Sequence, residues 1–189
     1  MKRVCVYCGS SPGIKPAYAD AARELAGVLV RHELELVYGG SDKGLMGVIA
    51  DAVLEQGGRV HGVIPQMLME KEIAHQGLSE LHIVASMHER KTMMAALSDG
   101  FIAMPGGFGT LEEIIEIVTW GQLRFHNKPC GLLNTNGYFD QLVGYFRHAN
   151  AEGFLREENR AMLLVEADPV MLLQRFERYT APHVETWTA

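Results

Sequence analysis

The chain has 189 residues, 48% of them hydrophobic, and carries 17 Lys and Arg against 23 Asp and Glu, which gives a net charge of −6. This length suits one domain with its own core, and the mildly acidic balance gives no general attraction to nucleic acid or an anionic membrane. No apolar stretch approaches the ~20 residues of a membrane helix, and the first residues lack a signal-peptide pattern, so we expect a cytoplasmic protein without nucleic-acid or membrane partners.

Short apolar runs alternate with helical patterns along the chain. Strands are predicted at residues 4–7, 34–38, 60–64, 81–85, 101–104, 131–133 and 162–165. Helices are predicted at residues 17–32, 47–56, 87–97, 111–123, 139–150 and 169–179, with a short helix and a loop within 66–79. Continuously apolar strands separated by helices indicate an α/β fold, a Rossmann-like doubly wound parallel sheet of six or seven strands with helices on both faces. We assign residues 1–181 to this single domain and expect residues 182–189 to form a frayed tail.

The three cysteines are Cys5, Cys8 and Cys130. The Cys-x-x-Cys spacing of the first two is compatible with a redox or zinc motif. However, no second Cys or His pair stands at ligand spacing, and the motif begins inside an apolar strand, where a thiolate is not stabilised. We therefore expect three reduced core residues and no metal site.

Glycines cluster after three predicted strands, at residues 8–11, 38–41 and 105–110. Ligands of an open parallel sheet bind beyond the carboxyl ends of its strands, and glycine lets backbone amides approach an anion there. The glycines could also serve only as tight turns, but three clusters at one sheet edge favour a nucleotide or phosphate site. The candidate contacts from these clusters are Gly9, Ser10, Gly40 and Gly106.

The usual nucleotide-binding fingerprints do not fit these clusters. Gly39 and Gly44 have the Walker A glycine spacing, but Leu45 and Met46 follow where Lys and Ser or Thr are required. No Gly-x-Gly-x-x-Gly follows the first strand either. The sequence therefore predicts neither an ATPase nor a typical dinucleotide site.

Arg90 lies in an otherwise apolar stripe of the helix that the capping box of Ser86 and Glu89 opens. A buried guanidinium needs an anionic partner, which is either an internal carboxylate or a ligand phosphate. Lys91 is its neighbour on the same side. This pair of cations is the local exception to the acidic composition.

Thr110 and Glu113 have the spacing of a second capping box at the start of the helix predicted at 111–123. One interpretation is that Glu113 only caps this helix. The other is that Glu112, Glu113 and Glu116 repel one another beside a phosphate loop, which suits acid–base work or stabilisation of a cationic transition state. The pattern alone leaves both open.

Two segments carry a family resemblance: SMHERK at residues 86–91 and PGGFGTLEE at residues 105–113. Together they resemble the paired signature of the LONELY GUY family, the cytokinin riboside 5′-monophosphate phosphoribohydrolases that also bear the label lysine decarboxylase. Further similar segments bring the resemblance to nearly the whole chain; they lie at residues 8–11, 38–40, 44–47, 62–65, 119–120 and 128–129.

The resemblance implies a homodimer that cleaves the N-glycosidic bond of a nucleoside 5′-monophosphate, either AMP or a cytokinin riboside monophosphate, without metal or cofactor. It implies that Arg90 and Glu113 are catalytic. The substrate contacts that it implies are Glu72, Lys91, Gly107, Phe108, Gly109, Thr110, Leu111, Glu112 and Thr119. The stretch around Glu72 departs most from the family pattern.

The implied chemistry agrees with the residues. Loss of the base builds positive charge on the sugar, which the Glu113 carboxylate can stabilise directly or by orienting water, while Arg90 holds either the phosphate or Glu113. A lysine decarboxylase needs a pyridoxal-binding lysine, and only Lys43 and Lys91 stand near this edge. Two other classes remain: a non-catalytic nucleotide sensor or carrier, and a dimeric interaction protein whose glycines are only turns.

Overall fold

The computed structural model describes residues 1–69 and 74–182. Seven strands form one sheet in the order β4-β3-β2-β1-β5-β6-β7, and every neighbouring pair is parallel. The strands are β1 Arg3–Tyr7, β2 Glu35–Tyr38, β3 Val60–Pro65, β4 Glu80–Val84, β5 Gly100–Ala103, β6 Cys130–Leu133 and β7 Leu163–Glu166. The predicted parallel sheet is confirmed, and each strand boundary lies within one residue of its predicted place.

Helices cover both faces of this sheet. They are α1 Pro16–Arg31, α2 Gly44–Glu55, α3 Gln66–Met69, α4 Met87–Leu97, α5 Phe108–Gln122, α6 Asp140–Ala151, α7 Glu157–Arg160 and α8 Pro169–Glu177. A 3₁₀ turn, Thr135–Gly137, follows β6. In the described part of the chain, no helix is long and apolar enough to cross a membrane.

Two helices begin three residues before their predicted starts. Helix α2 begins at Gly44, whose left-handed φ of 56° is a conformation that glycine adopts without strain. Helix α5 begins at Phe108 with Gly107 as its N-cap, so the predicted capping box at Thr110 is wrong. Thr110 is instead buried within the first turn, where its side chain packs beside Gly106.

The core has two layers because successive strand residues point to opposite faces. Val4 and Val6 pack with α1, α2 and α8, whereas Cys5 and Tyr7 pack with α4 and α5. Cys8 continues the first series, so the sheet separates it from Cys5. All three cysteines are free and buried, which agrees with the prediction of core residues.

The strand order reverses between β1 and β5, which makes this the switch point where an open α/β sheet binds its ligands. Two backbone hydrogen bonds hold the strand ends together: the Met104 amide donates to the Tyr7 carbonyl at 2.9 Å, and the Gly9 amide donates to the Pro105 carbonyl at 3.0 Å. The first and third glycine clusters are thereby joined in one rigid edge.

Candidate active site

A cleft of about 290 Å³ opens at this switch point, beyond the carboxyl ends of β1 and β5. Residues of the first and third glycine clusters line it, together with side chains of α4 and α5. The cleft is lined by Cys8, Gly9, Ser10, Met46, Met87, Arg90, Gly107, Phe108, Gly109, Thr110, Glu112 and Glu113.

Close packing at Gly106 fixes the glycine loop beside the cleft. A Cβ atom at this position would overlap the Thr110 hydroxyl and lie 2.8 Å from the Gly9 amide nitrogen. From outside, the Tyr138 hydroxyl donates a hydrogen bond of 2.6 Å to the Gly106 carbonyl. The glycine loop is therefore held in one position, while Gly107 and Gly109 have open space where a side chain would stand.

The N-terminus of α5 lies at the cleft. The Leu111 amide makes the first intrahelical hydrogen bond, to the Gly107 carbonyl at 3.1 Å. The amides of Phe108, Gly109 and Thr110 precede that bond, and the helix dipole adds partial positive charge there. This end of the cleft is suited to an anion such as phosphate.

Arg90 on α4 is buried, with 8% of its surface exposed. Its Nε donates to the Val63 carbonyl at 3.1 Å and its Nη2 to the Gly39 carbonyl at 3.2 Å, so the ends of β3 and β2 fix the guanidinium. Gly39 has to be glycine here, because a Cβ would overlap Nη2. The second glycine cluster therefore contacts and positions the arginine, and it does not line the cleft.

Glu113 on α5 faces Arg90, with 3.8 Å between its Oε1 and the arginine Nη1. Its side chain is only 12% exposed. Burial raises the pKa of the carboxyl to about 7; Arg90 and Lys91 oppose the rise, and the charges of Glu112 and Glu116 add to it. Because α5 begins at Phe108, Glu113 is not a capping residue. Its carboxyl can change protonation near neutral pH.

Lys91 is engaged with carboxylates of α5 and is not among the lining residues of the cleft. Its Nζ contacts the Glu112 carboxylate and lies 2.9 Å from Glu116 Oε2. Burial would lower the pKa of Lys91, but these hydrogen bonds outweigh it and raise the pKa. The ammonium group is thus held charged, where it partly neutralises the acidic turn around Glu113.

The structure brings most of the predicted site residues to this cleft. Those that line it are Gly9, Ser10, Arg90, Gly107, Phe108, Gly109, Thr110, Glu112 and Glu113. Those placed near it or elsewhere are Gly40, Lys91, Gly106, Leu111 and Thr119. Thr119 lies farther along α5, exposed, with its hydroxyl donating to the Ile115 carbonyl. Glu72 lies outside the described residues, as do residues 183–189 of the predicted tail.

Sequence reasoning missed the hydrophobic lining and the anchor of the loop. Met46 and Met87 line the cleft; each lies inside a segment of the family resemblance but was not predicted as a site residue. Tyr138, which anchors Gly106, follows β6, whose carboxyl end lies at the same sheet edge. Its distance from the glycine clusters along the chain hid it, although the expected parallel sheet was a signal that could have indicated it.

The geometry combines an anion site with a buried carboxyl and a fixed cation. An anion at the α5 terminus would place the attached part of a ligand beside Glu113. In that position a carboxylate stabilises positive charge that develops during bond cleavage, or orients a water molecule.

Comparison with known proteins places the chain among named relatives. A family model described as "Possible lysine decarboxylase" matches residues 46–176. The chain is 48% identical to a probable cytokinin riboside 5′-monophosphate phosphoribohydrolase of Oryza sativa subsp. japonica, over 97% of this chain and 82% of that protein. It is 49% identical to a cytokinin riboside 5′-monophosphate phosphoribohydrolase of Arabidopsis thaliana, over 94% of this chain and 78% of that protein.

Solved structures share the fold at lower identity. The molybdenum cofactor carrier protein of Chlamydomonas reinhardtii superposes with a TM-score of 0.72 at 19% identity, over 94% of this chain and 99% of that chain. The structural genomics target TM1055 superposes with a TM-score of 0.72 at 24% identity, over 95% and 100%. At these identities the likeness concerns the α/β architecture alone.

Proposed function

The chain belongs to the LONELY GUY family of cytokinin riboside 5′-monophosphate phosphoribohydrolases, and we propose that Glu113 and Arg90 carry out its reaction. The protein is a hydrolase that cleaves a nucleotide N-glycosidic bond to release base and ribose 5-phosphate. The observation that carries the assignment of residues is the buried Glu113 carboxyl, which opens into the same cleft as the amides of the glycine loop.

In this hydrolysis the bond between C1′ and the base nitrogen breaks, and the bonding electrons leave with the base. The base takes up a proton, and the oxygen of water bonds to C1′. Positive charge therefore builds on the sugar ring before the new bond is complete. The ionised Glu113 stabilises that charge and orients the water on the same face.

The 5′-phosphate binds at the glycine loop and the N-terminus of α5, which fixes the distance between C1′ and Glu113. Arg90 already donates to the carbonyls of Val63 and Gly39, and its remaining Nη1 faces Glu113. We assign to Arg90 the task of keeping the Glu113 carboxylate in place inside the cleft. The phosphate is left to the backbone amides.

The decarboxylase in the description of the family model is the second candidate, and the lysines near the cleft disfavour it. A Schiff-base lysine is activated by a lowered pKa. The pKa of Lys91 is raised, and its ammonium is paired with Glu112 and Glu116. Lys43 lies 3.3 Å from Asp42.

The reaction is tested by incubating the purified protein with AMP and with isopentenyladenosine 5′-monophosphate and measuring released base and ribose 5-phosphate in equal amounts. We expect release from at least one of them, and slower release from the corresponding riboside, which lacks the phosphate. No release from any nucleoside monophosphate would leave a nucleotide sensor or carrier as the better interpretation.

The role of Glu113 is tested with Glu113→Gln, which keeps the shape of the side chain and removes its charge. We expect kcat to fall by roughly 10²- to 10⁴-fold. Glu24→Gln, on the exposed face of α1, is the matched control and should keep full activity. Full turnover by the Glu113 variant would remove this residue from the mechanism and leave the hydrolase function intact.

We also propose that the protein is a homodimer. Ile114 and Ile117 on α5 are buried in the core, whereas Ile115 on α5 is exposed, as are Leu123 and Phe125 just after the helix, which leaves apolar surface uncovered. A second copy would cover this apolar face. Light scattering should give twice the chain mass of 20.9 kDa, and Ile115→Glu should give the single mass. A wild-type protein of single mass at the assay concentration contradicts the proposal.

A further inference from the structure

A second cluster of chemically active side chains lies at the opposite end of the sheet, where the strands begin. His61 near the start of β3 is fully buried. Its register partner on the edge strand β4 is Glu80, and His82 stands two residues farther along β4. Because side chains alternate along a strand, all three lie on the same face of the sheet.

The His61 ring lies between two carboxylates. Its Nε2 is 2.8 Å from Glu35 Oε2, and its Nδ1 is 3.0 Å from Glu80 Oε2. A neutral imidazole carries only one N–H, so one of these nitrogens faces a carboxylate with its lone pair unless a cation lies between them. Arg3 and Arg59 hold Glu35 in place beside Nε2. An N–H on Nε2 then leaves the lone pair of Nδ1 for a cation between His61 and Glu80.

His82 adds a third ligand atom. Its Nε2 is buried without a hydrogen-bond partner among the described residues, although Glu80 Oε1 lies 3.4 Å away. The ligand atoms of His61, Glu80 and His82 all lie within 4.8 Å of one another. A tetrahedral zinc ion with bonds of ~2.0–2.1 Å separates its ligand atoms by roughly 3.3 Å, so small side-chain rotations complete the site.

We propose that His61 Nδ1, His82 Nε2 and the Glu80 carboxylate bind Zn²⁺, with water as the fourth ligand. Two imidazoles and one carboxylate are a donor set that zinc accepts. Glu35, which receives the Nε2–H of His61, supplies the outer carboxylate that orients a zinc-bound histidine. The ion would link β3 to β4 at the amino edge of the sheet, away from the cleft.

The test measures zinc binding by tag-free, chelator-treated protein in competition with a chromophoric chelator. We expect one equivalent to bind, and His82→Ala and Glu80→Gln each to weaken the affinity by more than about tenfold. Glu35→Gln should weaken it by about 10- to 100-fold, since it removes only the outer carboxylate. His148→Ala, an exposed histidine of α6, is the matched control and should bind as wild type does.

Two further readouts keep the result independent of a folding defect. Zn²⁺ should raise the unfolding temperature of wild type and His148→Ala, but not that of His82→Ala, because an ion stabilises only the state that binds it. All variants should retain base-releasing activity, since none touches the cleft, and Mg²⁺ should not compete for the nitrogen ligands. Equal zinc affinity of wild type and His82→Ala overturns the site.

Discussion

Arg90 Nη1 and Glu113 Oε1 are 3.8 Å apart, which is within reach of charge attraction but longer than a hydrogen bond. The guanidinium cannot move closer without leaving the carbonyls of Val63 and Gly39. Its attraction therefore only partly offsets the effect of burial, and the pKa of Glu113 stays near 7. Burial and this separation together keep the pKa of the carboxyl near 7.

The pH dependence of turnover should report this carboxyl. If the ionised form of Glu113 stabilises the sugar cation, kcat/KM rises as the pH increases through about 7 and levels off above it. Glu116→Gln removes a charge that raises the pKa of Glu113, so it should move the rise to lower pH. Lys91→Gln removes a charge that lowers it, so it should move the rise to higher pH.

The direction of these two shifts is the decisive measurement, because the substrate phosphate itself titrates near pH ~6 and contributes to any single profile. Glu24→Gln should leave the midpoint unchanged. Identical midpoints in the Glu116 and Lys91 variants would assign the rise to the substrate instead of Glu113.

Stability should depend on pH through the same group. The folded-state pKa of Glu113, about 7, lies above its ordinary value of 4.5, so the folded state holds the proton more tightly and loses stability as the pH rises between these values. Relative to Glu113→Gln, the free energy of unfolding of wild type should fall by at most about 3 kcal/mol over this range. Urea denaturation at pH 4.5 and pH 8 measures it; a difference that stays constant or grows contradicts the raised pKa.

Gly39→Ala should impair catalysis although Gly39 itself does not line the cleft. The new Cβ overlaps Nη2 of Arg90 and lies 3.1 Å from Met46 Sδ, so the guanidinium has to move. We expect kcat/KM to fall by about 10- to 100-fold in a steady-state assay, as for other misplaced active-site groups. Gly144→Ala, in an open position of α6, should keep full activity and gain about 0.5–1 kcal/mol of stability. A Gly39 variant with wild-type kinetics would show that catalysis does not require the position in which Gly39 holds the Arg90 guanidinium.

Tyr138→Phe tests the anchor of the glycine loop. It removes one hydrogen bond to the Gly106 carbonyl, which is worth about 0.5–1.5 kcal/mol. If the fixed loop binds the phosphate, KM should rise by about 2- to 10-fold with a smaller change in kcat. Tyr145→Phe, on the exposed face of α6, should be silent in the same assay. An unchanged KM for Tyr138→Phe would mean that the packing of Gly106 suffices to hold the loop.

The strands and helices were predictable because their signals are local. Short apolar runs predicted seven strands, and each predicted boundary lies within one residue of the observed one. The capping box of Ser86 placed the start of α4 correctly. The start of α5 was missed because both Gly107 and Thr110 can serve as an N-cap and only packing chooses between them. Once Thr110 is buried against Gly106, its hydroxyl is not available to cap.

By itself the sequence determined the parallel sheet and the edge at which its glycine clusters meet, and its family resemblance predicted Arg90 and Glu113 as catalytic residues. Only the tertiary structure decided what each of them contacts. It showed that Gly39 seats Arg90, that Lys91 pairs with carboxylates, and that the second Glu of the PGGFGTLEE motif is the buried one. These relationships depend on distances between segments that lie far apart in the chain. Burial and the interaction between charges set the pKa values, and both arise only after those segments have packed.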